Sequence, residues 1–279
     1  MRRLTIAVQN CKHGALRTSE GQPDDRWPLI VDRIRSAPDR VDAVMLTEVV
    51  DWHRYGHAQL ARACADLDMD AAPLAPSSSG YGTGLLYRRE TMGRWLRHND
   101  DFAHKTLHGF AVTTFDVGLP QPLALVPCHL TPFSAEAAVV EAGYLARRAL
   151  KYGQYAIIAG DLNYPPADPA HPAPAFRPDR PFDRATRTLA DLGLPPEQRP
   201  PYRQVTQKLV HHGFVDVAWH LYQQTGDSAL LRATGTDDRI DQGWVSNPLA
   251  SAIRSYRVLD TPPGASDHAG LLFQLDLAA

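Results

Sequence analysis

Cysteine is scarce. The 279 residues hold only Cys11, Cys64 and Cys128, with no CxxC spacing among them, which excludes both a disulfide framework and a thiolate zinc site and fits a reducing compartment. Long apolar runs are missing as well. The stretch Leu4–Val8 stops at Gln9–Asn10, too short for a signal segment, and nowhere do the roughly 18 consecutive apolar residues of a membrane span occur. A cytoplasmic protein with no membrane partner is expected. A charge excess is also lacking: 29 basic residues against 31 acidic give a net charge of -2 and a pI near 6.6, far from a dedicated basic nucleic-acid binder. Lysine supplies only 4 of the basic residues and arginine 25, a bias that suits bidentate phosphate recognition but that coding preference explains equally well.

What is present is the composition of a folded globular chain, 44% hydrophobic and 22% charged, with a mean hydropathy of -0.32. Short apolar runs of strand length recur at Leu4–Val8, Ala43–Val50, Gly84–Tyr87, Ala111–Val117, Leu123–Leu130, Tyr155–Ala159, Ile240–Val245, Arg254–Leu259 and Leu271–Leu277. Helical spacing appears in Trp27–Arg35, Arg54–Leu67, Ala135–Lys151 and Arg184–Leu192. Ser134 is placed to cap the third of these, and Arg147, Arg148 and Lys151 suit its end.

Strands that outnumber helices, some apolar throughout and others alternating, predict a four-layer α/β/β/α sandwich of two packed, mostly antiparallel sheets with outer helices. Residues 1–279 read as a single domain. The segment 165–201 holds eleven of the 23 prolines, so it cannot pair as a central strand and reads as a surface excursion with one helix.

Polar residues fall at the ends of the apolar runs. Asn10 closes LTIAVQN, Glu48 closes DAVMLTE, His129 closes LALVPCH, and Asp161 and Asn163 close YAIIAGDLN; Arg239-Ile-Asp241 and Ser266-Asp267-His268 follow late in the chain. If these strands share one sheet edge, an amide, several carboxylates and two imidazoles converge as a metal-assisted hydrolase requires. The motifs QN (9–10), LTE (46–48), HL (129–130), GDLN (160–163), RID (239–241) and SDH (266–268) resemble, in type and order, those of the endonuclease/exonuclease/phosphatase superfamily with its deoxyribonuclease I-like fold. The resemblance covers nearly the whole chain, and GDLN followed about a hundred residues later by SDH is its most specific part.

The resemblance implies a divalent-metal-dependent phosphoesterase, a phosphodiesterase or nuclease that works by attack of an activated water. Mg2+ or Mn2+ would be held by Glu48, with Asn10 beside it as ligand or as an orienter of Glu48, and Asp267 would be a metal-side or water-orienting carboxylate; few protein oxygens suffice, because Mg2+ keeps several waters. Asp161 would position and activate the water, and Asn163 would bond a phosphoryl oxygen or hold that water. Asp241 would fix the tautomer of His268, which stabilises the charge that develops on phosphorus. His129 would donate to the phosphate or to the leaving oxygen. Either Asp161 or His268 takes the proton. Asp237 and Asp238 compete with Asp241 for the same register; Asp241 is preferred because it sits in RID, shortly before the apolar WVS (244–246). Asp216 in GFVD reads as structural.

Three other signals carry less. His53-xxx-His57 and His104-xxx-His108 have the spacing of a zinc pair, but neither has an HExxH glutamate nor a third ligand nearby. Cys128 and His129 point to opposite faces of a strand and form no dyad. Gly80-Tyr-Gly-Thr-Gly84 lacks a P-loop lysine and reads as a turn into a strand. The resemblance implies a phosphoester substrate, a nucleic acid or a small phosphorylated molecule, and no obligate protein partner is indicated. The arginines at 177, 180, 184, 187 and 199 either hold a polyanion or dress a solvated loop. Competing readings are a phosphatase for a small phosphorylated metabolite, a catalytically silent binding module on the same fold, and a glycosidase using Glu48 and Asp161 as paired carboxylates.

Overall fold

The computed structural model describes residues 2–191, 193–260 and 262–277. In chain order the strands are β1 (Arg2–Asn10), β2 (Ala43–Thr47), β3 (Asp70–Ala71), β4 (Thr83–Tyr87), β5 (Trp95–Asn99), β6 (Val112–Phe115), β7 (Leu123–His129), β8 (Tyr155–Asp161), β9 (Phe214–Asp216), β10 (Asp241–Ser246), β11 (Ile253–Leu259) and β12 (Gly270–Leu277). The helices are α1 (Trp27–Arg35), α2 (Ala58–Leu67), α3 (Arg89–Met92), α4 (Ala135–Ala149), α5 (Pro181–Arg187), α6 (Gln204–His211) and α7 (Val217–Thr225).

Two six-stranded sheets result, one in the order β11-β12-β1-β2-β4-β3 and the other β5-β6-β7-β8-β10-β9. The pairs β1/β2 and β7/β8 are parallel and the others antiparallel. Successive side chains of a strand point to opposite faces. Leu4, Ile6 and Val8 of β1 therefore face Leu123 and Leu125 of β7 and Ile157 and Ala159 of β8 between the sheets. Ala7, Val44 and Leu46 turn the other way, under Ile30 and Ile34 of α1 and Ala63 and Leu67 of α2. On the second sheet Ala124, Val126 and Ile158 lie under Ala138, Ala142 and Leu145 of α4 and Leu209 of α6. Burial on both faces explains why these strands read as continuous apolar runs, and it gives the four layers expected.

Several boundaries differ from the sequence reading. β2 stops at Thr47 rather than Val50 because Glu48 is left-handed, with φ 57°. α2 starts at Ala58 rather than Arg54, since Tyr55, Gly56 and His57 all have positive φ and form a separate 3-10 turn. α4 does carry Ser134 as its cap, the hydroxyl accepting from Ala137 N at 3.2 Å, and it gives way to a 3-10 turn at Leu150–Tyr152. The helix expected at 184–192 is instead α5, which begins at Pro181 and ends at Arg187; Leu192 lies outside the described residues. β3, β5, β9, α3, α6 and α7 were not legible. β5, for example, is an edge strand of sequence WLRHN with little apolar pattern, and its first three residues are exposed.

Candidate active site

Both parallel pairs end at the same edge of the sandwich. Asn10 lies opposite Thr47 in β1/β2, His129 opposite Asp161 in β7/β8, and Asp161 opposite Asp241 in β8/β10. The carboxyl ends of four strands and the start of a fifth thus share one rim, the usual place for a ligand in such sheets. The glycine of GDLN is required there: Gly160 has φ 151°, and a Cβ on it would lie 1.9 Å from the Cys128 carbonyl oxygen.

Asn10 ties the two sheets together at this rim. Its Nδ2 donates to Glu48 Oε1 at 3.1 Å and to Asp161 Oδ2 at 3.3 Å, while its Oδ1 accepts from Lys12 N at 2.8 Å. Glu48 Oε2 accepts from His13 N at 3.0 Å, and Asp161 Oδ1 accepts from Asn163 N at 2.9 Å. Asn163, itself left-handed at φ 61°, anchors its amide on Leu130 O at 2.8 Å. A left-handed backbone at non-glycine residues is uncommon, and of the nine among the described residues Glu48 and Asn163 lie where the chain turns over the rim.

His268 Nδ1–H donates to Asp241 Oδ2 at 2.8 Å and stands 3.9 Å from Asp161 Oδ2. Burial opposes charge on this imidazole, but the carboxylates of Asp241, Asp161 and Asp267 outweigh it and raise its pKa to about 10. Asp267 is more open and pairs with Lys12 Nζ at 3.4 Å; against a burial penalty, His268 and Lys12 hold its carboxyl below the usual range. Asp161, Asp241 and His268 offer ligand atoms that all lie within 4.8 Å of one another. Asp241 Oδ1 is buried without a hydrogen-bond partner among the described residues. A rim this rich in carboxylate oxygens, with Glu48 and Asp161 on either side of the Asn10 amide and Asp241 Oδ1 unpartnered nearby, fits a hard divalent cation.

His129 Nδ1–H donates to Tyr81 O at 3.3 Å, which leaves Nε2 3.7 Å from Asp161 Oδ2. Stacked on it, with centroids 3.8 Å apart and planes 9° from parallel, is His108. Burial, and then the neighbouring His129, push His108 down to about 2, so its own ring stays neutral. Its Nδ1 bonds Ser79 Oγ at 2.7 Å, and Ser79 Oγ accepts from Tyr81 N at 3.1 Å. This support for His129 was missed in the sequence, where His108 was visible only as half of an i,i+4 pair. Its supposed partner His104 is exposed in a 3-10 turn.

At RID it is Asp241 that pairs with β8 and meets His268, whereas Asp237 and Asp238 are buried in the turn before it. Asp216 caps α7 through Ala218 N at 3.1 Å and forms an ion pair with the buried Arg239, whose Nε donates to His171 Nε2 at 3.2 Å. This support from beneath the site is what the sequence reading took to be structural.

The rim opens into a cleft of about 680 Å³ that Glu48, Asp161, Asn163, His129, Asp267 and His268 all line. One wall is α5, from the proline-rich excursion. Its arginines are committed: Arg180 pairs with Asp183 at 2.7 Å and donates to Thr236 Oγ1 at 3.1 Å, and Arg187 pairs with Asp183 at 3.3 Å. Arg177 pairs with Asp179, Arg184 lies over the Phe176 ring at 5.4 Å, and Arg199 donates to Leu194 O at 3.3 Å.

Two packed mixed sheets with a carboxylate and imidazole cluster at one rim define a metal-assisted phosphoester hydrolase of the deoxyribonuclease I-like fold. The chain belongs to the Endonuclease/Exonuclease/phosphatase family, whose model matches residues 9–268, and it is a phosphoester hydrolase of that family. Solved structures similar to it include an AP endonuclease from Archaeoglobus fulgidus, at 15% identity and a TM-score of 0.67, over 98% of this chain and 100% of that one. A 3'-5' exonuclease, NExo, from Neisseria meningitidis is similar at 17% identity and a TM-score of 0.65 over 98% and 100%. TDP2 from D. rerio, complexed with a single-strand DNA product, is similar at 13% identity and a TM-score of 0.62 over 99% of each chain. No curated protein sequence matches the chain. Among the described residues no helix is long and apolar enough to cross a membrane.

Proposed function

We propose that this protein cleaves phosphodiesters by in-line attack of water, using Mg2+ or Mn2+. The observation that carries the reading is the position of Asp161, bonded to Asn10 from the opposite sheet and standing within 4 Å of both His129 and His268. Glu48 would hold the metal, with Asn10 beside it as ligand or as the amide that orients Glu48, and Asp267 as a further carboxylate toward the metal. When bound, a divalent ion supplies Lewis-acid charge against a phosphoryl oxygen.

The remaining work falls to the chain's own groups. Asp161, oriented by Asn163 N–H, aligns the attacking water and takes its proton. His268, held by Asp241, donates to the phosphoryl oxygen as charge develops there, and His129 donates to the leaving oxygen. Asn163 lines the cleft at the phosphate. Residues 1–279 act as one domain, a reading supported by the contribution of both sheets to a single cleft. The free thiols of Cys11, Cys64 and Cys128 favour the cytoplasm.

The similar structures include one with a DNA product, which favours a nucleic-acid substrate. The net charge of -2 and the paired arginines of the excursion favour a small or single-stranded one over a long duplex, and they keep a second reading in view, a phosphatase for a small phosphorylated metabolite. A silent binding module would not need every one of these side chains in one cleft. The test is a hydrolysis panel of plasmid DNA, RNA, bis(4-nitrophenyl) phosphate and 4-nitrophenyl phosphate with Mg2+, Mn2+ or chelator. Metal-dependent cleavage of the diesters ahead of the monoester is expected; full activity in excess chelator would overturn the assignment.

A further inference from the structure

Of the large hydrophobic side chains exposed on the described surface, two line the catalytic cleft: Phe133, 76% exposed, and Phe182, 59% exposed. They come from separate elements. Phe133 sits in the turn between β7 and α4, where its N–H donates to Thr131 Oγ1 at 3.3 Å and the next residue, Ser134, caps the helix. The backbone on both sides of this ring is therefore fixed. Phe182 lies in the first turn of α5, directly after Pro181, and α5 is fastened to the loop before β10 through Arg180 and Thr236. A wet phenyl ring forgoes its burial free energy, so two of them lining one cleft call for an apolar occupant.

The charges around the mouth narrow that occupant. Arg180 and Arg187 are paired with Asp183, Arg180 also stacks over the Phe182 ring at 5.3 Å, and Lys12 is paired with Asp267. The α5 wall thus offers a flat apolar surface and no uncommitted arginine for a second phosphate. A cleft of about 680 Å³ has the size of sites that enclose one small organic molecule. Bases inside a duplex have both faces covered by their neighbours, whereas an unpaired base presents a face to an aromatic side chain.

We infer that the substrate is a phosphodiester bearing an unstacked ring of nucleobase size beside the scissile bond, and that Phe133 and Phe182 receive that ring. This rests on the phosphodiesterase reading and adds the substrate's organic half. Because every base has a π face, the preference is for an unpaired base of any identity, at a strand end or in a dinucleotide.

The test compares a thymidine dinucleotide with two analogues in which tetrahydrofuran replaces the base on one side or the other. The wild-type protein with Mg2+ should lose at least about tenfold in kcat/KM on one analogue, mostly through KM. The double variant Phe133→Ala, Phe182→Ala should treat all three alike, and Phe182→Trp should keep the discrimination. Both rings are exposed, so melting temperatures should stay at the wild-type value. Equal wild-type rates on all three dinucleotides, or discrimination that survives in the double variant, would overturn the inference. Failure to cleave bis(4-nitrophenyl) phosphate with either metal would strike the phosphodiesterase reading instead. Equilibrium dialysis of the three dinucleotides then still decides the point: a tenfold affinity difference lost in the double variant supports the ring site, and equal affinities refute it.

Discussion

Asn10 on one sheet donates to Asp161 on the other, Nδ2 to Oδ2 at 3.3 Å, and so holds the two halves of the sandwich together at the catalytic rim. The same amide separates Asp161 from Glu48, at 3.1 Å on its other side. Asn10→Asp puts a third carboxylate between the two. In chelator its melting temperature should fall by about 3–6 °C, the response to a like-charge cost of about 1–2 kcal/mol in a protein of this size. Mg2+ should recover that loss, so the gap between the two conditions widens relative to wild type. Thermal denaturation with and without chelator measures it, and an unchanged gap would remove Asn10 from the metal's surroundings.

Asp161→Asn and His268→Ala should each lower kcat by at least about a hundredfold, the range for loss of general acid-base or charge-stabilising groups. Since both side chains act on one transition state and stand 3.9 Å apart, the double variant should lose less than the product of the two. Steady-state kinetics on bis(4-nitrophenyl) phosphate decides this. Near wild-type turnover in either single variant would exclude that residue from the chemistry.

The share of stability that rests on two buried neutral histidines should be lost on acidification. Burial, and then Arg239, push His171 down to about 4; Asp216 opposes this shift, Arg203 adds to it, and the Trp219 ring covers the site. His108, beside Ser79, Tyr81 and His129, is pushed down to about 2, mainly by burial. Below the ordinary histidine pKa of about 6.5 the unfolded chain takes up protons that the folded one refuses, so this share of stability declines as the pH drops from there toward 4. Each histidine contributes a slope of up to about 1.4 kcal/mol per pH unit. Urea denaturation between pH 6.5 and 4.5 should show a steeper loss in wild type than in His171→Gln, a comparison in which the opposing contributions of Asp238, whose carboxyl burial raises to about 6, and of Asp241, also raised by burial, cancel. An identical slope in that variant would contradict the assignment.

Cleavage of a long DNA should depend only weakly on salt. A protein that neutralises several phosphates shows a log-log slope of about -0.9 per contact on B-DNA, and the arginines at 177, 180 and 187 already have carboxylate partners. A slope of about -2 or shallower is expected, with weak binding that is not sequence-specific. Steep salt dependence in binding of a Glu48→Gln variant to plasmid DNA would show that the excursion provides a basic track after all.

The strands that carry the site were legible in sequence because their burial is two-sided: LTIAVQN and YAIIAGDLN read as continuous apolar runs that break off at the polar residues. The helix α4 was legible through its serine cap and amphipathic spacing. α6 and α7 were not, being eight and nine residues long with short apolar patterns, and β5 was hidden by its polar edge sequence. His108 and Ser79 could not be connected to His129 from the sequence. Their contact spans the loop before β4 and the one after β5, a relation that no local spacing encodes.

The sequence by itself determined which chemistry was available. Strand-end Asn10, Glu48, His129 and Asp161, with Asp241 and His268 behind them, are fixed in kind and order by residue identity, and the alternation of apolar side chains decides which face of each strand is buried. Only the tertiary structure decided who meets whom. Parallel pairing brings the ends of β1, β2, β7 and β8 to one rim, and the packing of the two sheets sets Asn10 between two carboxylates that lie far apart along the chain. The arginines of the excursion were undecided until their partners were known, because a guanidinium beside a carboxylate is no longer available to a phosphate, and that depends on positions in space rather than on composition.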